Sequence, residues 1–110
     1  MTIHVTSRHF KAHPSLHGYA EKTVEQLSRY YDGITKADVI LSYEKARNSL
    51  KMAEINVHVY GTDLTGMAKT NDFFKSIDVA IHKVLAQLKK YKERLHAKNR
   101  KEVRKILEKA

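Results

Sequence analysis

The sequence predicts an α+β fold: a two-layer sandwich in which a four-stranded, mostly antiparallel sheet carries both helices on one face. Apolar residues alternate with polar ones in four short stretches and recur at helical spacing in two longer ones, in the order β-α-β-β-β-α. The last three strands are joined by short polar or glycine-containing segments, which suit an antiparallel meander and leave no room for a crossover. Two amphipathic helices must bury their stripes, and one face of a single sheet is the surface available to both.

The first strand is "TIHVTS", where Ile3 and Val5 alternate with His4 and Thr6. His13-Pro14-Ser15 then marks a helix start, because proline at the first helical position gives up an N–H that has no intrahelical partner. Leu16, Ala20, Val24, Leu27 and Tyr31 form the apolar stripe of this helix, with Thr23 beside them and Gly18 as a weak point. "YDGI" closes it. In the second strand Val39, Leu41 and Tyr43 oppose Asp38, Ile40, Ser42 and Glu44. "KARNSLK" leads to a third strand, with Ala53, Ile55, Val57 and Val59 opposite Glu54, Asn56, His58 and Tyr60. A turn at Gly61-Thr62 enters a fourth strand, "DLTGMAK", whose Gly66 signals a bulge or a close backbone approach.

From Asn71 or Asp72, either of which offers an N-cap oxygen, the period becomes helical again. Phe74, Ile77, Ile81, Val84, Leu85, Leu88, Tyr91 and Leu95 define its face. Residues 97–110 keep a weaker pattern through Val103, Ile106 and Leu107, open to a continued helix, a separate short one or a frayed end. By the same spacing Tyr30, Tyr31, Tyr43, Phe73 and Phe74 belong to the core or its edge. Tyr60 and Phe10 are the aromatics best placed for an exposed stacking role.

Charge is the least evenly distributed property of the chain. Residues 83–109 hold eleven Lys/Arg and three Asp/Glu, so they carry +8 of the formal +9. On a helical projection Lys83, Lys90, Arg94 and Lys101 share one side, with Lys98 offset, because steps of seven and eleven residues return to nearly the same angle. Lys22 and Arg29, also seven apart, form a shorter stripe on the first helix, and helices packed side by side can bring both stripes to one surface. A row of cations on a rigid rod suits a phosphate backbone, since each neutralised phosphate releases counterions without any reading of sequence.

Other chemistries are poorly served. A chain without cysteine has no thiol nucleophile, disulfide or zinc ribbon. His9, His13 and His17 step by four across a loop–helix boundary that contains a proline, which is not a ligand spacing. His4, Asp38, Glu44, Glu54 and His58 share the open sheet face, but no nucleophile, base and orienting group can be assigned among them. There is no glycine-rich phosphate loop. No apolar run is long enough for a membrane span, the N-terminus lacks signal-peptide character, and the apolar face of the basic helix is needed for the core. These features point to a cytoplasmic protein without cofactor, membrane or small-molecule substrate. The open alternatives are a double-stranded-RNA-binding domain, an enzyme using the sheet face, and a protein-interaction module such as a sigma-factor modulator. Double-stranded-RNA-binding domains place their lysines at the start of the last helix, whereas "NDFFKSID" opens this one and its lysines come late.

Two stretches, "SLHGYAEKTVEQLSRYYDGI" and "NDFFKSIDVAIHKVLAQLKKYKERL", resemble the short ribosome hibernation-promoting factors and ribosome-associated inhibitors of the sigma factor modulation protein family. The second carries an aspartate-x-aromatic-x-x-Ile-Asp opening, Leu-x-Gln-Leu and a train of lysines. The resemblance implies residues 1–96 as a ribosome-binding domain and 97–110 as a basic tail. It implies a non-enzymatic translation inhibitor, monomeric off the ribosome, that occupies the mRNA and tRNA decoding channel of the small subunit in idle, stationary-phase or stressed cells. Its RNA-binding residues would be Lys22, Arg29, Lys83, Lys90, Arg94, Lys98 and Lys101, with Lys89 added from the lysine train.

Overall fold

A computed structural model describes the backbone of residues 1–44 and 50–109 and the side chains of residues 1–44 and 50–95. Most of the "KARNSLK" connection and the side chains of Lys98 and Lys101 lie outside the described residues. The elements are β1 (Thr2–Ser7), α1 (Pro14–Tyr30), β2 (Lys36–Tyr43), β3 (Lys51–Val59), β4 (Thr62–Thr70) and α2 (Phe73–Lys109). They form one sheet in the order β1-β2-β3-β4, with β1 parallel to β2 and the other pairs antiparallel. The α+β class and the element order expected from the sequence are those observed.

Both helices lie on the sheet face that carries Ala37, Val39, Leu41, Ala53, Ile55 and Val57, all buried. α1 contributes Leu16, Ala20, Val24 and Leu27, and α2 contributes Phe73, Ile77, Ala80, Val84 and Leu88. The helices run side by side in the same direction: Tyr19 meets Asp78 near their starts, and the Tyr31 ring lies 5.7 Å from that of Tyr91 further along. The start of α1 is built as its sequence suggests, with Pro14 in the first turn and His13 Nδ1 accepting from the Ser15 N–H at 3.1 Å. Asp72 caps α2 by accepting from the Phe74 N–H at 2.9 Å. The helix then continues without a break to Lys109, roughly 55 Å for 37 residues at 1.5 Å each.

Gly66 brings the two layers together. The β3–β4 register runs without interruption from Lys51↔Thr70 to Val59↔Thr62, so the glycine marks no bulge. Instead a Cβ at this position would lie 2.3 Å from the Ala80 carbonyl oxygen and 2.9 Å from Val84 Cγ2. The missing side chain is what lets the α2 backbone settle onto β4.

The aromatic residues depart from the spacing argument. α2 buries Phe73, while Phe74 is 40% exposed and sets its ring edge-on to Tyr19 at 5.1 Å. The helix begins one residue before the face defined by Ile77 and Val84, and Phe73 projects close to that face where Phe74 is turned toward α1. Phe10 is not displayed for stacking, since it stacks on Phe73 at 5.2 Å and meets Tyr43 edge-on at 4.9 Å. Tyr43 has the core-facing register but sits at the rim of the sheet and remains exposed. Isolated alternation cannot identify a strand end, where the facing layer has run out.

Gly66→Ala is expected to lower unfolding stability by about 1–3 kcal/mol, because the added carbon meets backbone that cannot turn aside. Gly18→Ala, in the α1 interior with nothing within 4 Å of the added carbon, is expected to raise it by up to about 1 kcal/mol. Urea unfolding of the two variants measures both, and equal signs would contradict the packing described.

Candidate nucleic-acid interface

α2 runs antiparallel to β4 and is tied by its side chains to β3, to β4 and to the turn between them. Ser76, fully buried, donates to the Lys51 carbonyl at 2.6 Å and fixes the start. Lys83 donates to the Met67 carbonyl at 2.7 Å. Gln87 makes a two-sided contact with Thr65, donating to its carbonyl at 2.6 Å and accepting from its N–H at 3.3 Å. Tyr91 donates to the Tyr60 carbonyl at 2.7 Å. β4 is an edge strand, and a row of unpaired backbone groups there would invite another strand. The Gln87 amide and the Lys83 ammonium occupy part of that row.

This docking fixes the azimuth of the cations. Lys83, Lys90 and Arg94 fall within about 40° of one another around the α2 axis, on the side that borders β4. Lys90 and Arg94 line a shallow groove with Thr62, Asp63, Leu64, Gln87 and Tyr91. The one carboxylate in the groove is turned to His58, whose Nδ1 is 2.5 Å from Asp63 Oδ1. Lys83 is committed to the Met67 carbonyl, so it both braces the edge strand and adds charge to the ridge.

Lys22 and Arg29 lie on the α1 side of the molecule, in a hollow with Glu25 and Gln26. Lys22 also borders the furrow between the helices, with Tyr19, Asp78 and His82. The helices do pack side by side, yet the two cation stripes are separated by the outer surface of α2. Lys89 projects about 120° from the Lys83 ridge, toward α1. The structure therefore groups Lys83, Lys90 and Arg94 along β4, and places Lys22, Arg29 and Lys89 on the helical side. Among the described residues none of these six forms a salt bridge; the ion pairs present join His17 to Glu21, Lys36 and His58 to Asp38, His58 to Asp63, and Lys69 to Glu44.

Lys92 belongs with the helical group and was not singled out by the sequence pattern. Its ammonium donates to the Tyr30 carbonyl at 3.2 Å and stands 4.8 Å over the Tyr30 ring. Tyr30 ends α1, where carbonyls lack intrahelical partners and the helix dipole favours a cation. The signal available was its place in "LKKYKERL", half a turn from the ridge.

The open sheet face mixes paired polar groups with Ile40, Met52 and Met67, and the buried Ser42 hydroxyl beside them has no partner among the described residues. Asn56 donates to Glu54 at 3.2 Å and accepts from Thr65 at 2.8 Å, beside the His58–Asp38 pair at 3.5 Å. Among the described residues no group of three or more His, Asp or Glu is disposed to hold a metal ion. No helix there is long and apolar enough to cross a membrane.

The geometry is that of a small sheet backing a long basic helix, and the comparisons with known proteins give it a family. Residues 3–96 match the family model described as "Sigma 54 modulation protein / S30EA ribosomal protein". The chain belongs to this family. The Sigma 54 modulation protein / S30EA match spans every strand, α1 and the supported part of α2. Among relatives, the ribosome hibernation promoting factor of Azotobacter vinelandii is 29% identical over 94 residues, covering 86% of this chain and 85% of that protein. The factor of the same name from Escherichia coli K12 is 26% identical over 95 residues, covering 86% and 97%. The solved ribosomal subunit interface protein of Coxiella burnetii superimposes with a TM-score of 0.76 at 28% identity, over 84% of this chain and 99% of that one. The Thermus thermophilus Protein Y N-terminal domain gives 0.72, also at 28% identity, over 83% and 99%. The four-stranded sheet and its two helices are thus shared with family structures.

One contact between the helices, near their starts, is the phenol of Tyr19 donating to the Asp78 carboxylate. That hydrogen bond, with partial burial and the nearby negative charge, raises the Tyr19 pKa above its ordinary 10.0. A raised folded-state value means the bond's stabilisation is fully present below about pH 10 and is lost as pH climbs through the folded pKa. Tyr19→Phe is accordingly expected to cost about 1 kcal/mol near neutral pH, with the gap from the parent protein closing at higher pH. Urea midpoints of the pair across the alkaline range check this, and a gap that widens with pH would refute it.

Proposed function

We propose that this protein is a ribosome-binding hibernation factor that inhibits translation by occupying the mRNA and tRNA decoding channel of the small ribosomal subunit. What carries the reading is a coincidence: a family match across residues 3–96, in a chain whose α2 presents Lys90 and Arg94 on a rigid rod without an acidic partner among the described residues. Relatives named ribosome hibernation promoting factor are covered over 85–97% of their length in the comparisons above. The role is binding without chemistry, so it calls for no cofactor and no small-molecule substrate. The partner is the small subunit, rRNA above all, met by a cytoplasmic protein that is monomeric when free.

On this reading Lys90 and Arg94 neutralise phosphates along the β4 side, with Lys83 adding charge from its braced position. Lys22, Arg29, Lys89 and Lys92 face a second segment of backbone on the α1 side. Lys98 and Lys101, further along α2, extend the contact into the tail 97–110. Two cationic borders on one narrow body suit a cleft with RNA on both walls better than a single flat surface. Phosphate contacts give affinity and position, and recognition of the site then comes from the shape of the cleft.

Co-sedimentation with purified small subunits across a salt series tests the reading. About six phosphate contacts predict a log–log slope of roughly −4 to −5, and Lys90→Ala with Arg94→Ala is expected to flatten it by about 1.5. These two positions are preferable to Lys83, whose loss would also expose the Met67 carbonyl. Salt-independent binding, or an unchanged slope in the double variant, would overturn it.

A further inference from the structure

We propose that the tip of the β3–β4 hairpin is a stacking site for an unpaired RNA base, with Tyr60 as the platform and Lys90 and Arg94 as the phosphate contacts beside it. The inference rests on the proposed ribosome-binding role and names one contact within it.

Tyr60 is 87% exposed, whereas no other exposed large apolar side chain among the described residues exceeds 45%. It packs on no core. The turn does not require an aromatic either: Gly61, at φ 83°, supplies the left-handed residue, and small polar residues ordinarily fill the neighbouring position. The mount beneath the ring is nonetheless firm. The Tyr60 carbonyl accepts from the Tyr91 hydroxyl at 2.7 Å, and the Tyr91 ring is wedged edge-on against Tyr31 at 5.7 Å. Burial raises the Tyr91 pKa above its ordinary 10.0, so the phenol remains a donor into the alkaline range. A ring held out on a fixed backbone loses little freedom when something covers it.

The surroundings select the occupant. Tyr91 lies in one groove with Lys90 and Arg94, while the groove's acid, Asp63, is held by His58. A neutral aromatic face whose backbone is tethered to Tyr91, the residue between the two cations on α2, matches a nucleobase with its flanking phosphates. Stacking on such a ring tolerates any base, and it favours bases already out of a duplex, as in loops and bulges. A protein partner would be expected to cover the ring with apolar surface, but the groove lined by Tyr91, to which the Tyr60 carbonyl is bonded, carries the two cations Lys90 and Arg94.

Tyr60→Ala, Tyr60→Phe and Lys90→Ala are compared with the parent protein for binding to purified small subunits and to a fluorescein-labelled single-stranded oligoribonucleotide. Thermal unfolding serves as the fold control and is expected to be unchanged for both Tyr60 variants. Tyr60→Ala is expected to weaken both interactions about 5- to 150-fold with the salt slope unaltered, because a neutral ring releases no counterions. Tyr60→Phe keeps the π-face and stays within about twofold. Lys90→Ala lowers the slope by roughly 0.7–0.9. Equal losses in the Ala and Phe variants, or none in either, would overturn stacking. A loss on subunits with none on the oligoribonucleotide would assign the ring to a ribosomal protein and overturn the RNA assignment. If the parent protein binds the oligoribonucleotide through Tyr60 but ignores small subunits, the stacking site stands and the hibernation reading fails.

Discussion

The approach of α2 to β4 at Gly66 governs most of what this molecule can present. With the Ala80 carbonyl 2.3 Å from where a Cβ would stand, the helix lies directly on the edge strand. Its side chains then reach backbone at Met67 and Thr65 on the strand and at Tyr60 in the turn before it. The spacing of those tethers, Lys83, Gln87 and Tyr91, is one helical turn each, so they also lock the rotation of the rod about its axis. A helix free to roll by a quarter turn would keep its core contacts poorly and carry its cations to a different side. Here packing at Gly66 and azimuth from the three tethers belong to one docked face, and the electrostatic surface follows from it.

That dependence explains why the cations split into two groups. Seen as a helix alone, α2 has a ridge at Lys83, Lys90 and Arg94 and a scatter of other lysines. Docked, the ridge becomes the border of β4, and Lys92 becomes a neighbour of α1. Lys92 is partly structural, closing the C-terminal carbonyls of α1, just as Lys83 is partly structural on β4. Both keep their charge at the surface while their ammonium groups stay localised. Localised cations cost less side-chain entropy on meeting a phosphate than freely rotating ones do.

Much of the architecture was legible in the sequence because it depends on two periods that short-range spacing preserves. The strands, the Pro14 helix start, a cap at Asn71 or Asp72 and the layer arrangement were legible, and the structure puts the cap on Asp72. Gly66 was legible as a signal, and the uninterrupted register decides for close approach over a bulge. What was not legible depends on where layers end. Phe73 and Phe74 are adjacent and equally apolar, so one residue of helix phase decides which is buried. Phe10 precedes the helix in a loop, and only the rim formed by Tyr43 and Phe73 gives it a place to pack. At the candidate site, the charge and its confinement to α2 were plain, but which cations share a border required the docking angle. The lysine train holds Lys92 and Leu-x-Gln-Leu holds Gln87, but neither pattern points to their partners, which are backbone groups on other elements.

The same tethers separate affinity from placement. Cations on a rod attract polyanion over a Debye length and in any register, so alone they would let the protein slide along RNA. Placement needs features fixed relative to that rod, and the hairpin tip is such a feature, because Tyr91 joins it to α2 at the level where the cations cluster. The last described tether to the hairpin is also at Tyr91, and α2 runs on from there to Lys109. The sequence from residue 96 to 109 holds six Lys/Arg against two Asp/Glu. Charge therefore continues along the axis past the folded body, while the shape-bearing elements stop. A body that fits and a rod that attracts is the division expected of a protein that must first find a polyanionic cleft and then stay in one place within it.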